Sequence, residues 1–200
     1  MFGRESISTA ADYKEEFSKV LAGKENAACL TIHIEPRETG AGNSYTCAVH
    51  DNSIPKEIYE AIEQSIQSCF TSGIRMGYPC TDIAVSVTDI KYDELTASTF
   101  AFEAAAAEAF DKACESATPE LLEPVMEVDI ECPSEFVGDA MSQITQRGGM
   151  IVSMDEKSGE SVIHAKAPMA KMFGFSTNLR SVTQGRASFG MVFSHFQVKV

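Results

Sequence analysis

Six cysteines are the residues with the widest range of possible chemistry in this 200-residue chain: Cys29, Cys47, Cys69, Cys80, Cys114 and Cys132. Zinc sites usually draw their ligands from closely spaced Cys-x-x-Cys pairs, and no two of these cysteines have that spacing. Several of them lie in apolar stretches, where a free thiol packs as a small hydrophobic group. The pattern therefore predicts six reduced thiols and no bound metal, as in most cytosolic proteins.

Two histidines and one pair of acidic residues are the other candidates for acid–base chemistry. His33 and His50 lie in candidate strands, without a partner at the spacing of a catalytic or metal site. Asp93 and Glu94 are adjacent carboxylates, but nothing in the surrounding sequence indicates a pocket, so solvated loop charges are expected. The chain also lacks the Gly-x-x-x-x-Gly-Lys-Ser/Thr loop that binds nucleotide phosphates. We predict no catalytic residue, no metal and no cofactor in these 200 residues.

The charge of the chain is strongly acidic. There are 16 Lys and Arg against 29 Asp and Glu, a formal net charge of −13, and residues 1–120 alone carry 9 basic and 20 acidic side chains. Non-specific nucleic-acid binders gain affinity by neutralising phosphates, so composition by itself argues against that class. The apolar share of 44% is typical of a folded protein. No apolar run reaches the roughly 20 residues of a membrane span, and the N-terminus lacks a signal-peptide stretch, so a cytoplasmic protein without a membrane partner is expected.

Hydrophobic periodicity predicts mixed strands and helices in the first 120 residues. A helix is expected to begin at Pro55, which tolerates the first helical turn, and to end at Gly73. A second, alanine-rich helix is expected to begin at Ser98 or Thr99 as N-cap. The complete set comprises strands at 29–34, 45–50 and 83–87, helices at 55–73 and 100–117, a loop at 39–44 and a polar stretch at 89–98.

A domain boundary is expected around 118–124, between Pro119 and Pro124, which gives domains at 1–120 and 121–200. The second domain is expected to begin with a strand at 125–132 and a helix from Ser134 to Arg147. Two strands follow at 150–154 and 161–167, joined by a turn at 155–159. A helix at 171–183, stopped by Gly185, and a last strand from Phe189 complete it. The order β-α-β-β-α-β is typical of the ferredoxin-like fold.

Several ordered segments of the second domain resemble domain V, the C-terminal domain of translation elongation factor G. The longest is MFGFSTNLRSVTQGRASF, residues 172–189. Others are the LLEPVM opening at 121–126, the helix start PSEFVGD at 133–139, and Arg147-Gly148, which matches the family's RRG turn.

The first domain is similar, more loosely, to domain IV of the same family. The matching segments are RESI at 4–7, IEP at 34–36, IPK at 54–56, GYP at 77–79 and Ala101-Phe102. Two segments depart from the family. A glycine-rich GGRGQ loop is replaced by AGKEN at 22–26, and the loop DGSYHDVDSS is replaced by DIKYDELTAS at 89–98, where the histidine has become Asp93.

The resemblance implies an α+β chain of two domains, a ribosomal-protein-S5-like βαβ domain followed by a ferredoxin-like βαββαβ domain. It implies a piece of a longer translational GTPase that promotes tRNA and mRNA translocation. GTP and Mg would belong to a G domain outside these 200 residues, so this piece would not be an enzyme by itself. The implied partner is the ribosome, through its decoding-site RNA, the A-site tRNA and the GTPase-associated region, with the protein as a monomer.

The resemblance also assigns candidate ribosome-contacting residues. At the tip of the first domain these are Lys24, Glu25, Asn26, Lys91, Tyr92, Asp93 and Glu94. In the second domain they are Arg147, Arg180 and Arg186. Arginine suits RNA phosphates because it binds them in a bidentate manner, although Arg180 and Arg186 could instead stabilise the nearby end of a helix.

Two other functions remain open at the level of sequence. A ribosome-protection or recycling factor could use the same two domains, and the divergent tip loops leave room for it. A stand-alone binding module or small-molecule enzyme is also compatible with a ferredoxin-like fold, because fold does not determine function.

Overall fold

A computed structural model describes residues 3–200, which divide into two units, Gly3–Leu122 and Glu123–Val200. Within the described residues, no helix combines the length and apolar character needed to cross a membrane.

The first unit is a four-stranded sheet with two helices on one face. Its elements are β1 Arg4–Ile7, β2 Ala11–Leu21, β3 Lys24–Pro36, β4 Ser44–Cys47, α1 Lys56–Ser72, β5 Ile83–Lys91 and α2 Thr99–Ser116. The strand order is β2-β3-β5-β4, with β4 and β5 parallel and connected through α1. Outside this sheet, β1 pairs antiparallel with residues 119–122 at the start of β6, Pro119–Pro133.

The core of the first unit lies between the sheet and the two helices. Leu30, Ile32 and Ile34 alternate along β3 and are fully buried against Phe102 and Phe110 of α2. Complete burial of such side chains stabilises the fold by roughly 1.5–3 kcal/mol each. Apart from Cys114, the other buried positions of α2 are alanines at 0% exposure, whose small side chains allow close packing of the helix: Ala101, Ala105, Ala106, Ala109 and Ala113.

The helix ends follow the sequence signals. Helix α1 begins directly after Pro55 and stops at Gly73, whose φ of 85° belongs to the left-handed region and whose N–H donates to the Cys69 carbonyl. The Ser98 hydroxyl accepts the N–H of Ala101 and caps α2. Both predicted helix starts are thus confirmed.

The hairpin formed by β2 and β3 differs from the expectation. Sequence analysis did not identify β2, because its outward positions are charged and only Glu15 is buried. Ala22 and Gly23, with φ of 49° and 78°, form the two-residue turn that β-hairpins favour. The expected loop at 22–26 is therefore wrong for Lys24, Glu25 and Asn26, which lie on β3 because Leu21 already pairs with Lys24.

The second unit has the predicted β-α-β-β-α-β order. Its elements are the remainder of β6, then α3 Val137–Thr145, β7 Met150–Lys157, β8 Glu160–Pro168, α4 Phe175–Val182 and β9 Ser188–Val198. The strand order is β9-β6-β8-β7, and β8 is antiparallel to both β6 and β7. The α+β class and the ferredoxin-like arrangement are confirmed.

Three predicted boundaries in the second unit are wrong. Ser134 does not cap a helix running to Arg147, since residues 134–136 form a short 3-10 helix before α3. Its hydroxyl instead bonds across the strands to Glu156 and Ser161 at 2.9 Å each. The last helix begins at Phe175 rather than 171, because Gly174 takes a left-handed φ of 73°. The turn expected at 155–159 contains only residues 158 and 159 outside the strands.

Candidate functional site

The two predicted tip segments lie at the same end of the first sheet. Strand β5 pairs with β3 up to Lys91, which is opposite Cys29. The chain then leaves the sheet and returns to it at Thr96, whose carbonyl accepts the N–H of Ala27 at 2.9 Å. The hairpin turn and the loop are thereby held side by side. We call the seven residues Lys24, Glu25, Asn26, Lys91, Tyr92, Asp93 and Glu94 the tip surface.

On the hairpin, two of the three tip residues have local structural roles. The Ser18 hydroxyl donates to Glu25 Oε1 at 2.9 Å, across the strand pair. The amide of Asn26 donates to the Lys24 carbonyl at 3.1 Å. Lys24 is exposed, and its ammonium has no partner within residues 3–200. The lysine is therefore the hairpin residue that is free to contact another molecule.

Asp93 holds the adjoining loop together. Its Oδ1 accepts the N–H of Leu95 at 3.0 Å. Its backbone carbonyl accepts the N–H groups of Thr96 and Ala97 at 3.2 and 2.8 Å. Glu94, in contrast, is exposed, and its side chain makes no hydrogen bond or ion pair with the described part of the chain. The two neighbouring carboxylates therefore differ, since one closes the turn and the other is a free surface charge.

A cleft opens between the loop and the adjoining strands, with a volume of about 300 Å³. Its walls combine two half-buried aromatic rings, Phe17 and Tyr92, with charged groups. The Phe17 ring is held by an edge contact with Phe100, 5.9 Å between ring centroids. We call this cavity the tip cleft; its lining residues are Glu16, Phe17, Ala27, Ala28, Cys29, Lys91, Tyr92, Asp93 and Thr96.

One ion pair lies beside the tip cleft. Lys14 Nζ lies 2.9 Å from Glu16 Oε1, and this hydrogen bond raises the pKa of Lys14 and lowers the pKa of Glu16. Burial raises the pKa of the Cys29 thiol, although Lys14 and Lys91 act in the opposite direction. The thiol is therefore protonated at neutral pH and is not an activated nucleophile.

Exposed apolar side chains at this end were missed by the sequence analysis. Leu95 is 77% exposed at the crest of the loop, and Val20 and Leu21 are 67% and 39% exposed beside the hairpin turn. A signal was present, because Leu95 is an aliphatic residue within a predicted polar stretch. Such residues can contact apolar or aromatic surfaces of a partner.

The three arginines of the second unit have different environments. Arg147 donates to the carbonyls of Lys171 and Phe173, both at 2.8 Å, and lies over the Phe175 ring. Its guanidinium therefore fastens the segment before α4. Arg180, in the last turn of α4, is exposed and has no side-chain partner within residues 3–200.

Arg186 is also engaged within its own unit. Its guanidinium bonds Glu135 Oε1 at 2.6 Å and lies over the Phe136 ring. Of the three predicted arginines, Arg180 is thus the one whose guanidinium is free for an external phosphate.

Two histidines lie on open sheet faces beside carboxylates. His33 Nδ1 is 2.8 Å from Asp12 Oδ1, and His164 lies between Asp129 and Asp155, at 2.6 and 3.3 Å. In each case the hydrogen bond to the aspartate of the neighbouring strand, Asp12 or Asp129, raises the pKa of the imidazole. Sequence analysis could not detect these pairs, since strand register determines them. Within residues 3–200 neither imidazole is hydrogen-bonded to a hydroxyl or a thiol, so these pairs are surface charge pairs rather than a catalytic centre.

The cysteines are all unpaired, and burial determines their chemistry. Cys29, Cys47 and Cys69 are half-buried, while Cys80, Cys114 and Cys132 are buried. Burial raises the pKa of Cys69 to about 11 and of Cys80 to about 12. Among residues 3–200, no three His, Cys, Asp or Glu side chains are placed to hold a metal ion.

Comparison with known proteins identifies both units. Residues 3–118 match the family described as elongation factor G, domain IV, and residues 120–199 match the elongation factor G C-terminus. The chain is 58% identical to elongation factor G 1 of Treponema denticola over 98% of its length, and 46% identical to elongation factor G 2 of Treponema pallidum over 97%. It spans 30% of each of these relatives.

A solved structure shows the same arrangement of elements. A crystal structure of a protein from Thermus thermophilus superposes with a TM-score of 0.87 and 29% sequence identity, covering 98% of this chain and 29% of that one.

Proposed function

The chain belongs to the elongation factor G family, of which it contains domain IV and the C-terminal domain, and we propose that it is the ribosome-contacting part of a translational GTPase that promotes tRNA and mRNA translocation. The two family matches occupy residues 3–118 and 120–199, so the GTPase domain of the family does not lie within these 200 residues. We infer that GTP and Mg bind elsewhere in the parent protein, and that the parent acts as a cytoplasmic monomer.

The observation that carries the proposal is the joint presentation of two separate segments at one end of the first sheet. Residues 22–26 and 92–96 are about seventy positions apart in the sequence, and the bond from Ala27 to Thr96 holds them together. The turn made by Asp93 fixes the loop before any partner arrives. A preorganised end of this kind suits insertion into a confined site such as the decoding site, because less conformational entropy is lost on binding.

The charge of the first unit limits how it can contact RNA. Residues 1–120 are strongly acidic, so long-range attraction to phosphate does not drive the encounter. Lys24 and Lys91 are the cations of the tip surface, and Leu95 adds apolar contact area. We propose that these residues contact decoding-site RNA and the A-site tRNA through short-range contacts.

In the second unit, Arg180 is the residue that we propose contacts the GTPase-associated region of the ribosome. Its free, exposed guanidinium can bind an RNA phosphate in a bidentate manner. Arg147 and Arg186 then act indirectly, by fastening the segments around α3 and α4.

One observation favours a second candidate function. At the position of the family's tip histidine this chain has Asp93, which cannot donate a hydrogen bond or attract phosphate. A ribosome-protection or recycling factor of the same build would use the altered tip for a step other than translocation.

The test measures single-round translocation by the full-length protein carrying Lys24→Gln and Lys91→Gln together. We expect slower translocation with unchanged GTP hydrolysis, because the G domain is untouched. The matched control is Lys56→Gln, a lysine on α1 that is exposed and pairs with Glu60 of the same helix. Parent-like translocation by the double variant would contradict the tip contact, and a parent without translocation activity would favour the second candidate.

A further inference from the structure

We propose that the tip cleft binds a single unstacked RNA nucleobase, one that carries an exocyclic amine. This inference rests on the proposed function, since it names the chemical group that the tip surface receives from RNA. The cavity is about 300 Å³, at the lower end of the roughly 300–1,000 Å³ typical of small-ligand sites. That volume is large enough for one nucleobase and too small for a folded peptide.

The cleft is formed before any ligand binds. The chain leaves β3 after the pairing of Cys29 with Lys91 and rejoins it through the bond from Ala27 to Thr96. Between these two anchors, Asp93 accepts hydrogen bonds from the backbone N–H groups of Leu95, Thr96 and Ala97. The backbone therefore does not have to rearrange to admit a base.

The two aromatic walls supply stacking surfaces. Tyr92 and Phe17 are both half-buried, so part of each ring contacts the core and part remains open to the cleft. The edge contact with Phe100 fixes the orientation of Phe17. Stacking of an unpaired base on an aromatic side chain is the usual source of affinity where proteins bind single-stranded RNA.

The polar groups of the cleft are mainly acceptors. Asp93 uses Oδ1 for the Leu95 N–H, and its Oδ2 has no partner within residues 3–200. Glu16 contributes a second carboxylate, whose Oε1 is already bound by Lys14, and Lys91 places a cation at the edge for the attached phosphate. Carboxylates accept hydrogen bonds and do not donate them, so they match the amines of adenine, cytosine or guanine. Uracil has no exocyclic amine, and its one N3–H lies between two carbonyl oxygens that a carboxylate repels, so it fits this cleft less well.

The experiment probes ribosomal RNA and tRNA in the complex with the full-length protein. Base-specific reagents (dimethyl sulfate, kethoxal and a carbodiimide) report access to each base edge, and hydroxyl radicals report contact with the backbone. We expect one adenine, cytosine or guanine to be protected by the parent and by Tyr92→Phe. In Tyr92→Leu, which keeps apolar bulk but lacks a π-face, the reactivity of that base should rise at least about fivefold, while the backbone footprint stays.

The outcomes separate the inference from the function on which it rests. A backbone footprint at the tip without any base protection that depends on Tyr92 would overturn the nucleobase inference and leave the proposed function standing. Tyr92-dependent protection of a uracil, or of a ribosomal protein instead of RNA, would overturn it as well. If neither variant nor parent gives a footprint, the proposed function itself fails. An unchanged amide NMR spectrum outside the loop verifies that Tyr92→Leu is folded.

Discussion

Oε1 of Glu5 accepts the backbone N–H of Arg75 at 2.8 Å, seventy positions along the chain, in a site where Glu5 is only 3% exposed. The same carboxylate also accepts the N–H groups of Ile74, Met76 and Tyr78, at 2.8–3.1 Å. One buried side chain thus fixes residues 74–78 of the loop that connects α1 to β5.

The charge on Glu5 should make the first unit sensitive to acid. Burial raises the pKa of this carboxyl, but the four backbone N–H bonds together outweigh burial and hold the pKa below 4.5. Because the folded-state pKa is lowered, the stabilisation is complete above the unfolded-state pKa and is lost as pH falls through the folded value.

We expect Glu5→Gln to lower the free energy of unfolding of the first unit by about 3 kcal/mol at pH 7, since an amide cannot satisfy the same four donors. The difference from the parent should shrink below about pH 4. Urea unfolding followed by amide NMR signals of the first unit measures both effects. The control is Glu38→Gln, at an exposed loop position. A pH-independent difference would show that the charge on Glu5 is not the cause.

Gly73 should tolerate no side chain. A Cβ atom there would overlap the Tyr78 carbonyl and Glu5 Oε2, and the residue has a φ of 85°. Gly73→Ala is expected to destabilise the first unit by about 3 kcal/mol or more, because a clash adds to backbone strain. Gly77→Ala is the matched control: its φ is 76°, but nothing lies within 4 Å of the added atom, so only strain of roughly 1–2 kcal/mol remains. Equal losses in the two variants, by denaturant unfolding, would contradict the clash.

His164 should titrate above the ordinary histidine value of 6.5. The hydrogen bond to Asp129 raises its pKa most, and Asp155 raises it further. Because the folded pKa is raised, any stabilisation from this pair is complete below the unfolded-state pKa and is lost as pH rises through the folded value. Asp129→Asn should lower the pKa, measured by NMR titration of the imidazole, more than Asp155→Asn does. The opposite order would show that Asp155 is the stronger partner in solution.

Substitutions at Asp93 can distinguish the effect of its negative charge from the effect of the hydrogen bond by which it holds the loop. Asp93→His in the full-length protein is expected to speed translocation, because a histidine can donate to RNA and a carboxylate is repelled by phosphate. The histidine also loses the bond to Leu95, so two further variants isolate the charge. Asp93→Asn keeps an oxygen for that bond, and Glu94→Gln removes a charge that holds nothing.

Glu94→Gln should speed translocation about 2- to 5-fold at low salt, the range of a surface charge interaction. Asp93→Asn also removes the carboxylate that faces the tip cleft, so its gain should be smaller. The effect should shrink at high salt, where screening is strong. Rapid-kinetics assays at two salt concentrations measure it. Unchanged rates in all three variants would mean that these carboxylates do not face RNA.

The six thiols should remain reduced and react in two classes. Cys29, Cys47 and Cys69 are half-buried and are expected to react with a thiol reagent before Cys80, Cys114 and Cys132, whose access requires opening of the fold. Unfolding without reductant should expose six thiols. Mass spectrometry after timed labelling identifies each site, and fewer than six would indicate a disulfide.

The sequence by itself determined the fold class, most of the elements and the family. Apolar spacing in α1 and β3, the hydroxyl cap at Ser98 and the stop at Gly73 are local signals, each readable within a few residues because helices and strands bury one face. Ordered motifs such as residues 172–189 then indicated the family.

Tertiary structure decided which side chains are free to act. Arg147 and Arg180 are indistinguishable in type, yet carbonyls 24 and 26 positions away bind the guanidinium of Arg147 and leave that of Arg180 unpaired. Strand β2 was not apparent because its charged residues form a strand only when β3 supplies hydrogen bonds. The pairs Glu5 with Arg75 and Ala27 with Thr96 join residues about seventy positions apart. Local periodicity reports which face is buried, whereas the partner of a polar group depends on strand register and loop closure, which only the folded chain establishes.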